Sequence, residues 1–179
     1  MPDALLRTLK QLKPFVSPEE EAFIGLQVAA QRVLDPWELC LKSHAGLSAA
    51  QYNVLRILRG AVPDSLTTGG VANRLISRLP DVTRLIGRLV QRGLVCREPD
   101  ESDRRVVRVR ITPAGLDLLE ELDDSVDSML QRILGHLGEP RLRQLSLILD
   151  ELIEGLECEQ GVALDKKQAT ERNEGGSDA

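Results

Sequence analysis

Between residues 70 and 110 every basic side chain is an arginine: Arg74, Arg78, Arg84, Arg88, Arg92, Arg97, Arg104, Arg105, Arg108 and Arg110. A guanidinium is a planar fork that binds phosphate, or the O6/N7 edge of guanine, through two parallel hydrogen bonds. Only five acidic residues share that stretch, although the whole chain is acidic at net -5. Seven basic and seven acidic residues balance over 1–69, whereas six basic face sixteen acidic over 111–179. Positive charge is therefore gathered in one segment, and nucleic acid is the partner its composition favours. At helical spacing Thr83, Arg84, Gly87, Arg88 and Gln91 share a polar face, while Val82, Leu85, Ile86, Leu89 and Val90 share an apolar one. Arg84 and Arg88 are predicted to contact phosphates or guanine edges, with Thr83 and Gln91 close by. The plainer explanation is that these arginines only solvate a helix face. The glycine and hairpin that follow weigh against it.

Those side chains need elements to hold them. Pro80 and Asp81 suit a first helical turn, because proline needs no N–H donor there and a carboxylate complements the positive dipole end; a helix is predicted over 80–92. Gly93 supplies the left-handed stop. Beyond it VCRE rises, PDESD turns and RRVVRVRI returns, the pattern of a hairpin. Upstream, Ser48 and Gln51 have capping-box spacing and Leu47 and Tyr52 occupy staple positions, which fixes a helix from about Ser48 to Gly60 with Val54, Leu55 and Leu58 inward. Leu66 and Thr67 suit a brief strand. Gly69 or Gly70 is expected to begin a short helix bearing Val71, Leu75 and Ile76, with Ser77 to Leu79 as a tight connection. Two short helices meeting through a turn, the second arginine-rich outside, make a helix-turn-helix unit with a wing.

At these residues the chain resembles the MarR family of winged helix-turn-helix transcription regulators. The resemblance rests on L47-S-A-A-Q-Y-N-V-L-R-I-L, on D81-V-T-R-L-I-G-R-L with R92-G-L-V, and on D103-R-R-V-V-R-V-R-I-T112. It covers roughly residues 20 to 157, and the last motif fits the family's wing signature through Asp103, Arg105, Val109, Ile111 and Thr112. The resemblance implies an obligate homodimer that places helix 80–92 in the major groove and wing 94–111 in the minor groove of a palindromic operator in double-stranded DNA. On matching positions, Arg105 resembles the wing-tip arginine that enters the minor groove and Asp103 the carboxylate that orients it; Arg104 lies between them. It further implies a repressor released by a small-molecule effector, such as a small aromatic acid. Trp37, Cys40, His44 and Arg56 are near enough in sequence to line an effector crevice, and nothing in the chain names the effector.

The flanks carry apolar stripes. Leu5, Leu6, Leu9 and Leu12 are followed by Pro14, and Ser17 can cap a longer helix opened by Pro18 and three glutamates. Its Phe23, Leu26, Ala30, Val33 and Trp37 step by threes and fours, and Asp35-Pro36 predicts a kink or a restart. After Thr112-Pro113 the stepping recurs through Leu119, Leu122, Val126, Met129 and Ile133, breaks at Gly135 to Gly138, and resumes through Leu142, Leu145, Leu149, Leu152 and Leu156. Such stripes fit a monomer interior or a layer shared between two chains; because three of them need covering, the shared layer is expected. Glu120, Glu121, Asp123, Asp124, Glu151, Glu154 and Glu157 would then form an acidic outer face that turns the wings toward DNA. The expected fold is mainly α, a winged helix-turn-helix with a small β-hairpin wing and a helical dimerisation layer. N-terminal dimerisation helices occupy 1–46, the DNA-binding core 47–112, C-terminal dimerisation helices 113–158, and a disordered tail 159–179.

Composition excludes other classes. Four aromatic residues are too few for a single-strand binder built on stacked bases. No apolar run is long enough for a membrane span and Met1-Pro2-Asp3 begins no signal peptide, so a cytoplasmic protein is expected. Cys40, Cys96 and Cys158 are widely spaced without C-x-x-C, which argues against disulfide and zinc-ribbon frameworks and for no metal or cofactor. Cys40 and His44 have i, i+4 ligand spacing, but two ligands do not make a site. No Ser/His/Asp grouping or phosphate loop points to an enzyme. Two alternatives stand beside a DNA-binding regulator released by a ligand: a thiol-based redox-sensing regulator, and a winged-helix protein-interaction module without DNA.

Overall fold

A computed structural model of the chain describes residues 3–76, 81–100 and 103–174, with side-chain detail over 4–158. Helices α1 (Asp3–Leu9), α2 (Pro18–Ala45) and α3 (Ala49–Arg59) lead into strand β1 (Leu66–Thr67) and helix α4 (Thr68–Ala72). Helix α5 (Val82–Gln91), strands β2 (Val95–Pro99) and β3 (Val107–Ile111), and helix α6 (Pro113–Leu134) follow. A 3-10 turn at Gly135–Leu137 precedes helix α7 (Gly138–Glu174). The chain divides into two compact units, Met1–Leu130 and Gln131–Ala179, so the break falls inside α6.

Local signals fix most boundaries. Ser17 accepts a hydrogen bond from the Glu20 N–H at the start of α2, and Gly46 ends that helix at φ 59. At α3 the capping box closes in both directions, Gln51 N–H to Ser48 Oγ at 3.2 Å and Ser48 N–H to Gln51 Oε1 at 3.0 Å. Gly93 stops α5 at φ 70. Strands β2 and β3 pair antiparallel with Val95 opposite Ile111 and Pro99 opposite Val107, and β1 joins the far side of β3 with Leu66 opposite Val109. The wing is therefore the outer hairpin of a three-stranded sheet.

Four expectations need correction. Of the kink or restart expected at Asp35-Pro36, the restart does not occur: α2 runs unbroken for 28 residues with Pro36 inside it. Losing one backbone bond there is outweighed by capped ends and by Cys40 and Leu41 buried beyond the proline. Asp35 accepts instead from Gln31 Nε2. Helix α4 begins at Thr68, ahead of both glycines, because Thr67 Oγ1 takes the Gly70 N–H at 2.9 Å; it ends at Ala72, leaving Leu75 and Ile76 beyond it and Ile76 exposed. Helix α5 begins at Val82 with Asp81 as cap, not in the first turn, while Pro80 and the connection Ser77 to Leu79 lie outside the described residues. The tail expected to be disordered from 159 continues as α7 to Glu174: Ala163, Leu164, Lys166, Lys167, Gln168 and Ala169 are good helix formers with no proline among them.

One core joins the α3–α5 helices, the sheet and the first half of α6. Leu41, Leu55, Val71, Ile86, Leu89, Val109 and Leu119 are fully buried in one cluster with Leu47, Tyr52, Leu58, Leu122 and Val126. Burying each such aliphatic side chain stabilises the fold by roughly 1.5–3 kcal/mol before entropy is counted. The α6 stripe through Val126 is thus interior to the chain's own core, and that core crosses the division expected at 112. A covering partner is not what that stripe lacks. The other two stripes differ: Phe23, Leu26 and Ala30 on α2, and Leu145, Leu152 and Leu156 on α7, are exposed.

Candidate nucleic-acid interface

Helix α5 divides as its spacing requires. Val82, Ile86 and Leu89 are buried, whereas Thr83, Arg84, Arg88 and Gln91 all face solvent. Asp81 caps the helix twice over: Oδ1 accepts the Arg84 N–H at 2.9 Å and Oδ2 accepts Arg84 Nε at 2.7 Å. The Arg84 backbone bond is the largest cause holding the Asp81 carboxyl below its usual range; desolvation comes next and opposes it, and the Arg84 side-chain bond, the Arg84 charge and the Arg88 charge lower it further. Arg84 is consequently pre-oriented at the helix N-terminus with its side chain 65% exposed. A guanidinium held this way gives up less rotamer freedom when it meets a base or phosphate.

The wing turn is built around two aspartates. Asp103 Oδ1 accepts the Arg105 N–H at 2.9 Å, and the Val106 N–H reaches Asp103 O at 2.8 Å. Asp103 thus positions Arg105 through the backbone, not by gripping its guanidinium. Asp100, the one charged residue buried among those described, accepts the Asp103 N–H and pairs with Arg108 Nε, while Arg108 Nη1 reaches Ser65 O at 3.4 Å. Arg104 and Arg105 remain exposed at the tip; Glu101 and Ser102 of the expected turn lie outside the described residues.

Not every arginine of the basic segment is available to a ligand. Arg97 on β2 lies across the recognition helix at Gly87, where an added Cβ would stand 3.9 Å from its Nη2, and donates to Thr83 O at 2.8 Å. Arg92 donates to Ala45 O and Gly46 O. Arg92, Arg97 and Arg108 donate to backbone carbonyls and so brace the element, although Arg92 and Arg97 are themselves exposed; Arg74, Arg84, Arg88, Arg104, Arg105 and Arg110 are exposed too, Arg84 in its pair with Asp81, and Arg78 lies outside the described residues. Helical and strand spacing does not separate the two sets, because a backbone carbonyl leaves no mark in the pattern of side chains.

The four candidate effector residues do not converge on one group. The Trp37 and Tyr52 rings meet edge to face, 5.1 Å apart at 81°, and the Arg56 guanidinium carbon lies 6.0 Å from the Tyr52 centroid. Tyr52, expected only as a packing residue, is their common partner; it is the chain's one tyrosine. Burial pushes its phenol upward, Arg56 opposes, Asp123 raises it, Arg59 opposes, and Asp127 raises it. Asp123, assigned to the acidic outer face, is instead half-buried and paired with Arg59 at 2.8 Å, because Arg59 ends α3 where α6 passes. Cys40 and His44 turn to each other, Sγ to Nδ1 at 3.9 Å, and Cys40 also points to Ser125 O. Among the described residues no three His, Cys, Asp or Glu side chains gather where a metal could bind, and no helix is long and apolar enough to cross a membrane.

Comparison with known proteins bears on the whole arrangement. A family model described as MarR family matches residues 45–106, from the end of α2 to the wing. The solved MarR transcription factor from Planctomyces limnophilus is 39% identical, over 76% of this chain and 98% of its own, with a TM-score of 0.60. The chain belongs to the MarR family. Bordetella bronchiseptica BpsR, whose structure concerns regulation of DNA binding by 6-hydroxynicotinic acid, is 26% identical over 78% of this chain and 97% of its own, with a TM-score of 0.67. The transcriptional repressor IacR of Pseudomonas putida is 29% identical over 111 residues, 62% of this chain and 65% of IacR. The Planctomyces limnophilus relative is thus a transcription factor and the Pseudomonas putida relative a transcriptional repressor.

Proposed function

We propose that this MarR-family chain is a homodimeric, sequence-specific DNA-binding regulator, a repressor released by a small-molecule effector. The observation that carries the reading is the division of α5: buried Val82, Ile86 and Leu89 fix the helix to the core, and Thr83, Arg84, Arg88 and Gln91 are exposed at its surface. In this reading α5 enters the major groove, where Arg84 and Arg88 meet guanine edges or phosphates. Arg105, carried by the Asp103 and Asp100 turn, enters the flanking minor groove, whose negative potential is greatest where it is narrow. Exposed apolar side chains on α2 and α7 supply the surface on which two copies join, and the dimer sets its two recognition helices on a two-fold operator. BpsR, with its ligand-regulated DNA binding, and the repressor IacR support the ligand and repressor parts of the reading. The effector would act at Tyr52, where Trp37 and Arg56 offer an aromatic edge and a cation to a small aromatic acid.

Selection of bound duplexes from a random pool tests the reading. The expected product is an inverted repeat with half-site centres about 10 base pairs apart, one turn of DNA. A consensus without two-fold symmetry would contradict the dimer, and no consensus would contradict sequence-specific binding.

A further inference from the structure

We propose that Arg92 is a positioning residue for DNA reading, a strap that ties the end of the recognition helix to the end of α2. Two helices stop here on left-handed glycines, α2 on Gly46 and α5 on Gly93. The Gly46 N–H returns to Leu41 O and Lys42 O, which closes part of the α2 terminus but leaves its final carbonyls pointing outward. Arg92, the C-cap of α5, supplies their donors: Nη2 reaches Ala45 O at 2.8 Å and Nη1 reaches Gly46 O at 3.2 Å.

Charge explains why this arginine is a strap and not a phosphate contact. Its guanidinium stands at the C-terminal end of α2, where the aligned peptide dipoles place partial negative charge. That end holds a cation and repels a phosphate. The planar fork matters as much as the charge, since one guanidinium spans two adjacent carbonyls and an ammonium has no such fixed geometry. The last turns of α2 carry Trp37, Cys40 and His44, with Trp37 edge-on to Tyr52. A change at Tyr52 that displaces the end of α2 is thereby transmitted to the end of α5 through Arg92. This inference rests on the DNA-binding reading above and adds the route by which the effector region bears on the recognition helix.

The test compares the full-length wild type with R92Q and R92K in two experiments. In the free protein, amide hydrogen exchange is expected to quicken several-fold in both variants at the end of α2 and at the end of α5 together. Unchanged exchange at either end would overturn the strap. On the duplex the wild type prefers, R92Q is expected to bind about tenfold more weakly, the scale of a lost charge-assisted pair. The slope of log affinity against log salt should stay at the wild-type value, and R92K should not restore the affinity. A slope shallower by about 0.9 per subunit, with rescue by R92K, would make Arg92 a phosphate contact and overturn the proposal. If the wild type bound no duplex, the DNA-binding reading would fail, while the exchange result would still decide whether the strap joins the two helices.

Discussion

Arg84 shows how much one capping carboxylate decides. Asp81 takes both its backbone N–H and its Nε, so the side chain already points along the N-terminal turn before any ligand arrives. If it reads guanine, Arg84→Ala should lose about 1–3 kcal/mol of base discrimination and relax the selected sequence at one position of each half-site. Competition binding against single-base variants measures this. An equal loss on every sequence would make Arg84 a phosphate anchor instead. Tyr52 offers a second residue-level test, through pH. Burial raises its phenol pKa in the fold, so the linked stability is fully present below the unfolded value of 10.0 and is lost as pH rises past it. Thermal melts between pH 9 and 11 should therefore fall more steeply for the wild type than for Tyr52→Phe, whereas parallel curves would mean the phenol ionises as freely as in the unfolded chain.

At the scale of elements, the junction of wing and α6 is the tightest point. The Thr112 N–H bonds to Leu94 O, Thr112 Oγ1 takes the Gly115 N–H, and a Cβ on Gly115 would lie 2.3 Å from Leu94 O and 2.7 Å from Ile111 Cγ1. Backbone cannot retreat as a flexible side chain does, so Gly115→Ala should destabilise the protein by about 1–3 kcal/mol in urea unfolding; an unchanged midpoint would show that the helix start can shift. Much of this level was legible in the sequence, because capping and turn chemistry is local: the Ser48/Gln51 box, the Thr112 cap, the Gly93 stop and the alternation of β2 and β3 are all written within a few residues. What could not be read depends on contacts between distant residues. Thr67 outcompeted two glycines because its hydroxyl reaches Gly70. Pro36 was absorbed by a helix anchored at both ends. The α6 stripe has the same stepping as the stripes on α2 and α7, yet only burial shows that Leu119, Leu122 and Val126 belong to the chain's own core. Asp100 and its arginine were invisible for the same reason, since an ion pair between a buried aspartate and a half-exposed arginine across a hairpin has no helical or strand period.

For the whole molecule, the segregation of charge decides the partner. A chain of net -5 gathers its cations on α5 and the wing, while Glu120, Glu121, Asp124, Glu151, Glu154 and Glu157 stand exposed on α6 and α7. Polyanion binding is therefore confined to one region, and its energy must come largely from counterion release at a few phosphates. A winged-helix module that had abandoned DNA would instead bind through apolar contact and respond weakly to salt. Fluorescence anisotropy on duplex DNA from just upstream of the protein's own gene, against a scrambled duplex and across a salt series, separates the two most directly. Tighter binding to the native duplex is expected, with log affinity falling against log salt at a slope of roughly -4 or steeper. Binding to neither duplex at low salt, or binding that salt leaves unchanged, would contradict it.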